Sequence, residues 1–164
     1  MAPVAVLRAA RDNLAAGRVV SGGSTLTMQL ARLLRADPPR TFPEKAREAV
    51  LALQLEWHLD KDEILHQYAS RAPFGGNTVG LRAAAWRYFQ RPPEQLSWAE
   101  AALLAVLPNS PALIHPGRDR ERLRAKRDRL LETLREQGAL DRDDLALARP
   151  EPLPRVQALP SLAP

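Results

Sequence analysis

The stretch Gly22-Gly23-Ser24-Thr25-Leu26-Thr27-Met28-Gln29-Leu30-Ala31-Arg32 opens with two glycines and two hydroxyl residues and continues with helical spacing. Ser24 or Thr25 can cap such a helix by accepting a hydrogen bond from its first turn. The first N–H groups of a helix have no partner within it, and the helix dipole favours an anion there. The stretch therefore predicts a helix start that can hold a phosphate, although an ordinary capped helix after a turn has the same residues.

Helix start and stop signals recur along the whole chain and predict an all-α fold. Thr41 and Glu44 have the spacing of a capping box, with Pro43 in the first turn. Apolar residues wrap most of the helix that follows, which is typical of a central, buried helix. The same signals predict helices over residues 4–16, 24–35, 41–59, 60–68, 79–89, 97–107, 118–137 and 141–148, and no strand.

The composition limits the kinds of partner that the chain can bind but does not single out one of them. The chain has 164 residues, enough for one domain, and a formal net charge of +5. A basic balance suits nucleic acid, an anionic membrane surface or a phosphorylated substrate. The absence of cysteine excludes disulfides and cysteine-metal sites, and His58, His66 and His115 lack metal-ligand spacing. No stretch approaches the ~20 apolar residues of a membrane span, and no signal-peptide pattern opens the chain.

Lys45 and Glu48 are the pair of residues best suited to take part in a reaction. They are three residues apart, so they share one face of the predicted helix. A solvated ion pair has the same spacing. The alternative is a site in which lysine meets an anion and the carboxylate takes part in acid–base chemistry.

The motifs together resemble those of peptidoglycan glycosyltransferases, the glycosyltransferase family 51 domain of class A penicillin-binding proteins. Gly22 to Leu30 matches G-G-S-T-x-T-x-Q-L, and Lys45 with Glu48 lies where the family has R-K-x-x-E. Residues 61–70 are similar to K-x-x-I-L-x-x-Y-L-N, residues 103–111 to L-L-A-x-L-P-x-x-P, and residues 126–131 to R-R-x-x-V-L. The resemblance covers most of residues 1–150 and implies an all-α, lysozyme-like fold, incomplete at its N-terminus.

Roles for individual residues follow from the resemblance. It implies that Lys45 contacts the diphosphate of a lipid-linked donor and that Glu48 is an acidic catalytic residue. From the family's motifs and the residues next to them, we predict that the following residues bind substrate: Gly23, Ser24, Thr25, Gln29, Arg32, Lys45 and Arg47. The resemblance also implies a divalent cation such as Mg²⁺ at the diphosphate, but the sequence shows no dedicated metal site.

The chain departs from the family pattern at several positions. Glu44 replaces the leading arginine of R-K-x-x-E, and we expect Arg47 or Arg40 to supply the lost positive charge. The family's E-D-x-x-F motif, which holds its base, is absent upstream of Gly22, where Asp12 is the sole acidic residue. We therefore expect that this chain does not polymerise glycan by itself.

The resemblance predicts a domain that polymerises lipid II, an undecaprenyl-diphosphate disaccharide-peptide, with lipid II and the growing glycan strand as its partners. A non-catalytic lipid II-binding or scaffold fragment is the main alternative, and a lysozyme-like hydrolase is another. The basic segment 118–136 is expected to be a largely solvated helix face, and its interleaved acidic residues argue against nucleic acid.

The resemblance also predicts the organisation and location of the chain. Residues 1–149 are expected to form a glycosyltransferase domain that lacks its first catalytic motif. Residues 150–164 hold five of the 15 prolines and are expected to be a linker toward a transpeptidase domain. The parent protein would sit at the outer, periplasmic face of the bacterial inner membrane, anchored by an N-terminal helix that this chain lacks.

Overall fold

A computed structural model describes residues 25–36, 39, 41–109 and 119–155, and within these ranges the all-α prediction is confirmed. The one β pairing in the described ranges is an isolated antiparallel bridge between Pro73 and Val79. The predicted helix 4–16 lies outside the described residues. The helices are α1 (Leu26–Leu34), α2 (Phe42–His58), α3 (Lys61–Arg71), α4 (Leu81–Phe89), α5 (Trp98–Val106), α6 (Arg120–Glu136) and α7 (Arg142–Ala148), with 3₁₀ turns at Pro93–Gln95 and Leu107–Asn109.

The chain divides into two compact units, Met1–Ala72 and Pro73–Pro164, which we call the N-terminal and the C-terminal unit. The sequence did not predict this division. In the N-terminal unit, α1 packs against both α2 and α3. Its buried face consists of Met28, Leu30, Ala31 and Thr27.

The start of α1 confirms part of the opening prediction. Thr25 is the N-cap, in extended backbone conformation, and its Oγ1 accepts a hydrogen bond from the N–H of Met28 at 3.2 Å. Gly22, Gly23 and Ser24, which precede it, lie outside the described residues.

Helix α2 differs from its sequence prediction in two ways. Thr41 caps the helix, but the carboxylate of Glu44 pairs with arginines rather than completing a capping box. The prediction of a buried central helix is wrong for the described fold, since Glu48 and Ala52 are the buried residues of α2. Phe42 is 94% exposed and Trp57 is 86% exposed. Apolar composition alone therefore did not show which side of the helix has a partner.

Helix α3 begins with a capping box at Asp60 and Glu63, next to the predicted start of the helix. Asp60 Oδ1 accepts from the N–H of Glu63 at 2.8 Å, and Glu63 Oε2 accepts from the N–H of Asp60 at 2.9 Å. The helix extends to Arg71, beyond the predicted end near Tyr68. Ser70, which replaces the family's asparagine, donates to the backbone carbonyl of His66 at 2.8 Å.

The C-terminal unit has a compact apolar core in which α5 packs against α6 and α7. Gly138 follows α6 with a φ of +74°, the left-handed conformation that glycine adopts without strain and that commonly ends a helix. The core cluster consists of Ala99, Ala102, Leu131, Leu140, Leu145 and Ala148, with Leu130 and Leu134 packed against it.

Buried arginine is the unexpected feature of α6. Arg127 is 1% exposed, contrary to the expectation that the charged residues of this helix are solvated. It donates to the backbone carbonyls of Arg149 at 2.9 Å and Glu151 at 2.7 Å. Arg120 likewise donates to the carbonyl of Pro154 at 2.8 Å. The first residues of the predicted linker therefore lie against α6, while residues 156–164 are outside the described ranges.

Candidate functional site

A buried carboxylate held by two cations forms the centre of the candidate site. Glu48 is 2% exposed. Its Oε1 accepts from Arg32 Nη1 at 3.0 Å, and its Oε2 accepts from Lys45 Nζ at 3.4 Å. A carboxylate is costly to bury unless it is paired and hydrogen-bonded, and here each oxygen has a cationic partner.

The two cations come from different helices. Lys45 lies one turn before Glu48 on α2, whereas Arg32 lies in the last turn of α1. Their side chains remain 46% and 21% exposed, respectively, while the carboxylate between them is buried. The packing of α1 on α2 thus places two partly exposed positive charges side by side, an arrangement that favours an anion.

Other side chains of α1 are also held by neighbouring helices. Gln29 Oε1 accepts from the hydroxyl of Tyr68 on α3 at 3.1 Å. Thr27 Oγ1 donates to Glu56 Oε1 on α2 at 2.8 Å. Burial raises the pKa of the Tyr68 phenol, so its hydroxyl remains protonated and able to donate at neutral pH. Thr27 and Gln29 of the first motif therefore have partners in the two helices that pack around α1.

Glu44 organises a second group of charges. It pairs with Arg35, the C-cap of α1, and with Arg47 of α2, each at 2.5 Å. Hydrogen bonds from Arg35 and then from Arg47 hold the pKa of the Glu44 carboxyl below its ordinary value. Arg35 and Arg47 also line a shallow groove with Ala46, Val50, Leu51 and Gln54.

Lys45 and Arg47 lie on different flanks of α2, although the carboxylates that they contact, Glu48 and Glu44, are one turn apart on the same face. At about 100° per residue, Lys45 and Arg47 project from α2 roughly 160° apart. The structure therefore does not bring Arg47 to Lys45 and Glu48. Arg40, the other arginine expected to compensate for Glu44, lies outside the described residues.

The structure brings together most of the described residues that the sequence selected. Arg32, Lys45 and Glu48 are in direct contact, and Gln29 lies one turn before Arg32 on the same face of α1. Thr25 lies at the start of the same helix as its cap. Gly23 and Ser24 lie outside the described residues, and their substrate-binding roles stay predictions. The substrate-binding roles of Thr25, Gln29, Arg32, Lys45 and Arg47 and the catalytic role of Glu48 also stay predictions.

Sequence reasoning missed several partners of these residues. Arg35, Glu56 and Tyr68 were not selected, although Tyr68 falls in the quoted motif of residues 61–70. Arg32 and Arg35 are three positions apart and Glu44 and Glu48 are four apart, so each pair repeats at about one helical turn, and this was the available signal. Pairing between two helices cannot be read from either helix alone, because it depends on how they pack.

The described ranges hold neither a cluster of metal ligands nor a membrane-spanning helix. Among the described residues, no group of three or more His, Cys, Asp or Glu side chains could hold a metal ion. The divalent cation implied by the resemblance therefore stays a prediction. None of the described helices combines the length and apolar character that crossing a bilayer requires.

Comparisons with known proteins show the family and the fold of the chain. The family described as Transglycosylase matches residues 1–135. Penicillin-binding protein 1C of Escherichia coli is 51% identical over 99% of this chain and 21% of its own length. The first motif, with Met28 before Gln29, also resembles that type. Penicillin-binding protein 1A of Aquifex aeolicus is 40% identical over 92% of this chain. The crystal structure of penicillin-binding protein 1A from Haemophilus influenzae covers 77% of this chain and 16% of its own, with a TM-score of 0.50 and 21% identity, which shows the fold.

Proposed function

Because the chain belongs to the Transglycosylase family, we propose that it serves in peptidoglycan glycosyl transfer, with lipid II and a growing glycan strand as its substrates. The chain spans about a fifth of the length of the two curated relatives just named, 21% in each case. The observation that carries the proposal is the convergence of Arg32 and Lys45 on the buried Glu48, beside the face of α1 that carries Gln29.

The chemistry explains why this arrangement suits the reaction. The bond between the sugar and its polyprenyl diphosphate breaks, and negative charge develops on the departing phosphate. Arg32 and Lys45 are placed to stabilise that charge. A new glycosidic bond forms to the acceptor hydroxyl, whose proton passes to a carboxylate base.

In this mechanism, the carboxylate of Glu48 is best suited to hold the side chains of Arg32 and Lys45 in place. Each of its oxygens already accepts a hydrogen bond from a cation. A carboxylate in that position fixes the direction of two long, otherwise mobile side chains and reduces the cost of ordering them around the diphosphate. We assign no step to a divalent cation. Since Mg²⁺ commonly combines one or two carboxylates with substrate phosphates, the diphosphate itself is the expected ligand.

The location of the protein follows the same proposal. Lipid II is a membrane-embedded substrate, so we propose that the parent protein works at the outer face of the bacterial inner membrane. The contact between this chain and the lipid surface is part of that proposal.

Binding of lipid II to the purified chain tests the proposed site. Lys45→Ala should weaken binding by about tenfold or more, since one charge-assisted contact is lost. Lys61→Ala removes the same charge from the first position of α3 in the same unit and should leave affinity unchanged. Titration calorimetry with lipid II in detergent measures both variants, and circular dichroism checks that each is folded. Equal losses in the two variants, or no binding by the unsubstituted chain, would overturn the proposal.

The products distinguish the alternatives. Formation of glycan polymers from lipid II supports the transferase. Lipid II binding that depends on Lys45 but is not followed by transfer supports a binding fragment. Release of reducing ends from isolated cell walls supports a hydrolase and contradicts the transferase proposal.

A further inference from the structure

We infer that Tyr68 is a positioning residue, which orients the side-chain amide of Gln29 so that its N–H groups face an oxygen-rich anionic ligand. The inference rests on the proposed function and deepens it. Tyr68 Oη donates to Gln29 Oε1 at 3.1 Å, across 39 residues of sequence. The contact joins α3 to α1, two helices that pack against each other in the N-terminal unit.

A glutamine amide can present either its oxygen or its nitrogen in a given direction. The terminal torsion of glutamine is broad and nearly two-fold, so an amide without partners samples both orientations. A phenol that donates to Oε1 selects one of them. The two N–H donors of Gln29 then occupy the other branch of the amide, directed away from Tyr68.

Because of where Gln29 lies, the orientation of its side-chain amide affects how a ligand would bind. Gln29 is half-buried and lies one turn before Arg32, on the same face of α1. Arg32 in turn meets Glu48 and, through it, Lys45. N–H donors on that face complement phosphoryl and sugar oxygens, whereas the carbonyl oxygen of a flipped amide would repel them.

The environment of Tyr68 keeps its hydroxyl a donor. The residue is half-buried. Burial raises the pKa of its phenol, so the hydroxyl keeps its proton throughout the physiological pH range. The Tyr68 donor is therefore constant, and the orientation of the amide does not depend on pH near neutrality.

A second tyrosine provides a matched control. Tyr88, in the C-terminal unit, is buried and donates to the backbone carbonyl of Phe74 at 2.8 Å. Burial raises the pKa of its phenol as well. Tyr68→Phe and Tyr88→Phe thus each remove one hydroxyl donor from a partly desolvated site, but only the first touches the predicted ligand face.

Lipid II titrations of the full chain measure the effect. Tyr68→Phe should weaken binding by about fivefold, the loss expected for one oriented hydrogen bond. Tyr88→Phe should not change it. In the Gln29→Ala background, Tyr68→Phe should cause no further loss, because the amide that Tyr68 orients is gone. A loss that persists in that background contradicts the inference, and so does unchanged affinity in Tyr68→Phe while Lys45→Ala still impairs binding.

A measurement without ligand keeps the inference testable if the proposed function fails. The side-chain amide ¹H–¹⁵N signals of Gln29, identified by their loss in Gln29→Ala, report its environment and mobility. We expect ordered signals in the unsubstituted chain and in Tyr88→Phe, and shifted, more mobile signals in Tyr68→Phe. Identical Gln29 signals in all three proteins would overturn the inference independently of lipid II binding.

Discussion

The two units bury opposite charges, and only one of the two buried groups also relies on backbone partners. In the N-terminal unit the buried group is the carboxylate of Glu48, and its partners are the partly exposed side chains of Arg32 and Lys45. In the C-terminal unit the buried group is the guanidinium of Arg127, and backbone carbonyls of the chain after α7 accept two of its hydrogen bonds. Partly exposed cations can meet a ligand, whereas a buried guanidinium that donates to two backbone carbonyls and to Asp128 is committed to the fold.

The apolar residues show a parallel difference. The C-terminal unit encloses its core cluster between α5, α6 and α7. In the N-terminal unit, α2 leaves Val50, Leu53 and Trp57 exposed. Stability should therefore depend on apolar packing in the C-terminal unit, and substitutions in the site of the N-terminal unit should affect stability less.

The largest expected effect is at the buried guanidinium. Arg127→Ala removes the hydrogen bonds of a buried guanidinium to the carbonyls of Arg149 and Glu151 and its ion pair with Asp128, and should lower the free energy of unfolding by about 4 kcal/mol. Arg129→Ala, at an exposed position of the same helix, should change it by less than about 0.5 kcal/mol. Urea denaturation measures both. Similar values for the two variants would show that the contacts of Arg127 with Arg149 and Glu151 do not stabilise the unit.

The next comparison sets a core leucine against an exposed one. Leu131 is fully buried in α6, so Leu131→Ala should cost about 3 kcal/mol through lost burial and the cavity left behind. Leu53→Ala on the exposed side of α2 should cost less than about 0.5 kcal/mol. Thermal unfolding of both variants is the measurement. A large loss from Leu53→Ala would mean that this side of α2 is covered in solution.

Glu48→Gln tests the charged centre of the N-terminal unit. The amide keeps the shape of the side chain but cannot accept from both cations, so the free energy of unfolding should fall by about 2 kcal/mol. Glu121→Gln, at an exposed position of α6, is the control and should be neutral. Denaturation at low and high salt measures the difference. It should persist at high salt, because a buried pair is screened less than a surface pair.

The smallest effect is a pH dependence at Glu44. Its pKa is lowered in the folded state by Arg35 and Arg47, so the unfolded state binds a proton more readily. The stabilisation is present above the unfolded value of about 4.3 and is lost as pH falls through the folded pKa. The difference in melting temperature between the unsubstituted chain and Glu44→Gln should therefore shrink between pH 5 and acid pH. A constant difference over that range would contradict the pairing.

Local signals in the sequence determined most of the helices. The capping residues Thr25, Thr41, Asp60 and Ser97 all begin helices as predicted, because a side chain that satisfies an N–H three residues later acts within one turn. The spacing of Lys45 and Glu48 likewise fixed their contact within a single helix.

Tertiary structure decided the contacts that join helices. Arg32 and Glu48, which pair, are 16 positions apart, and Tyr68 and Gln29, which share a hydrogen bond, are 39 apart. The buried Arg127 donates to the carbonyls of Arg149 and Glu151, which are 22 and 24 positions away. Apolar pattern and charge count do not contain these pairings, since the same residues would be solvated if the helices packed differently. The sequence therefore determined which residues carry charge and where helices begin, and packing decided which charges are buried and which face a ligand.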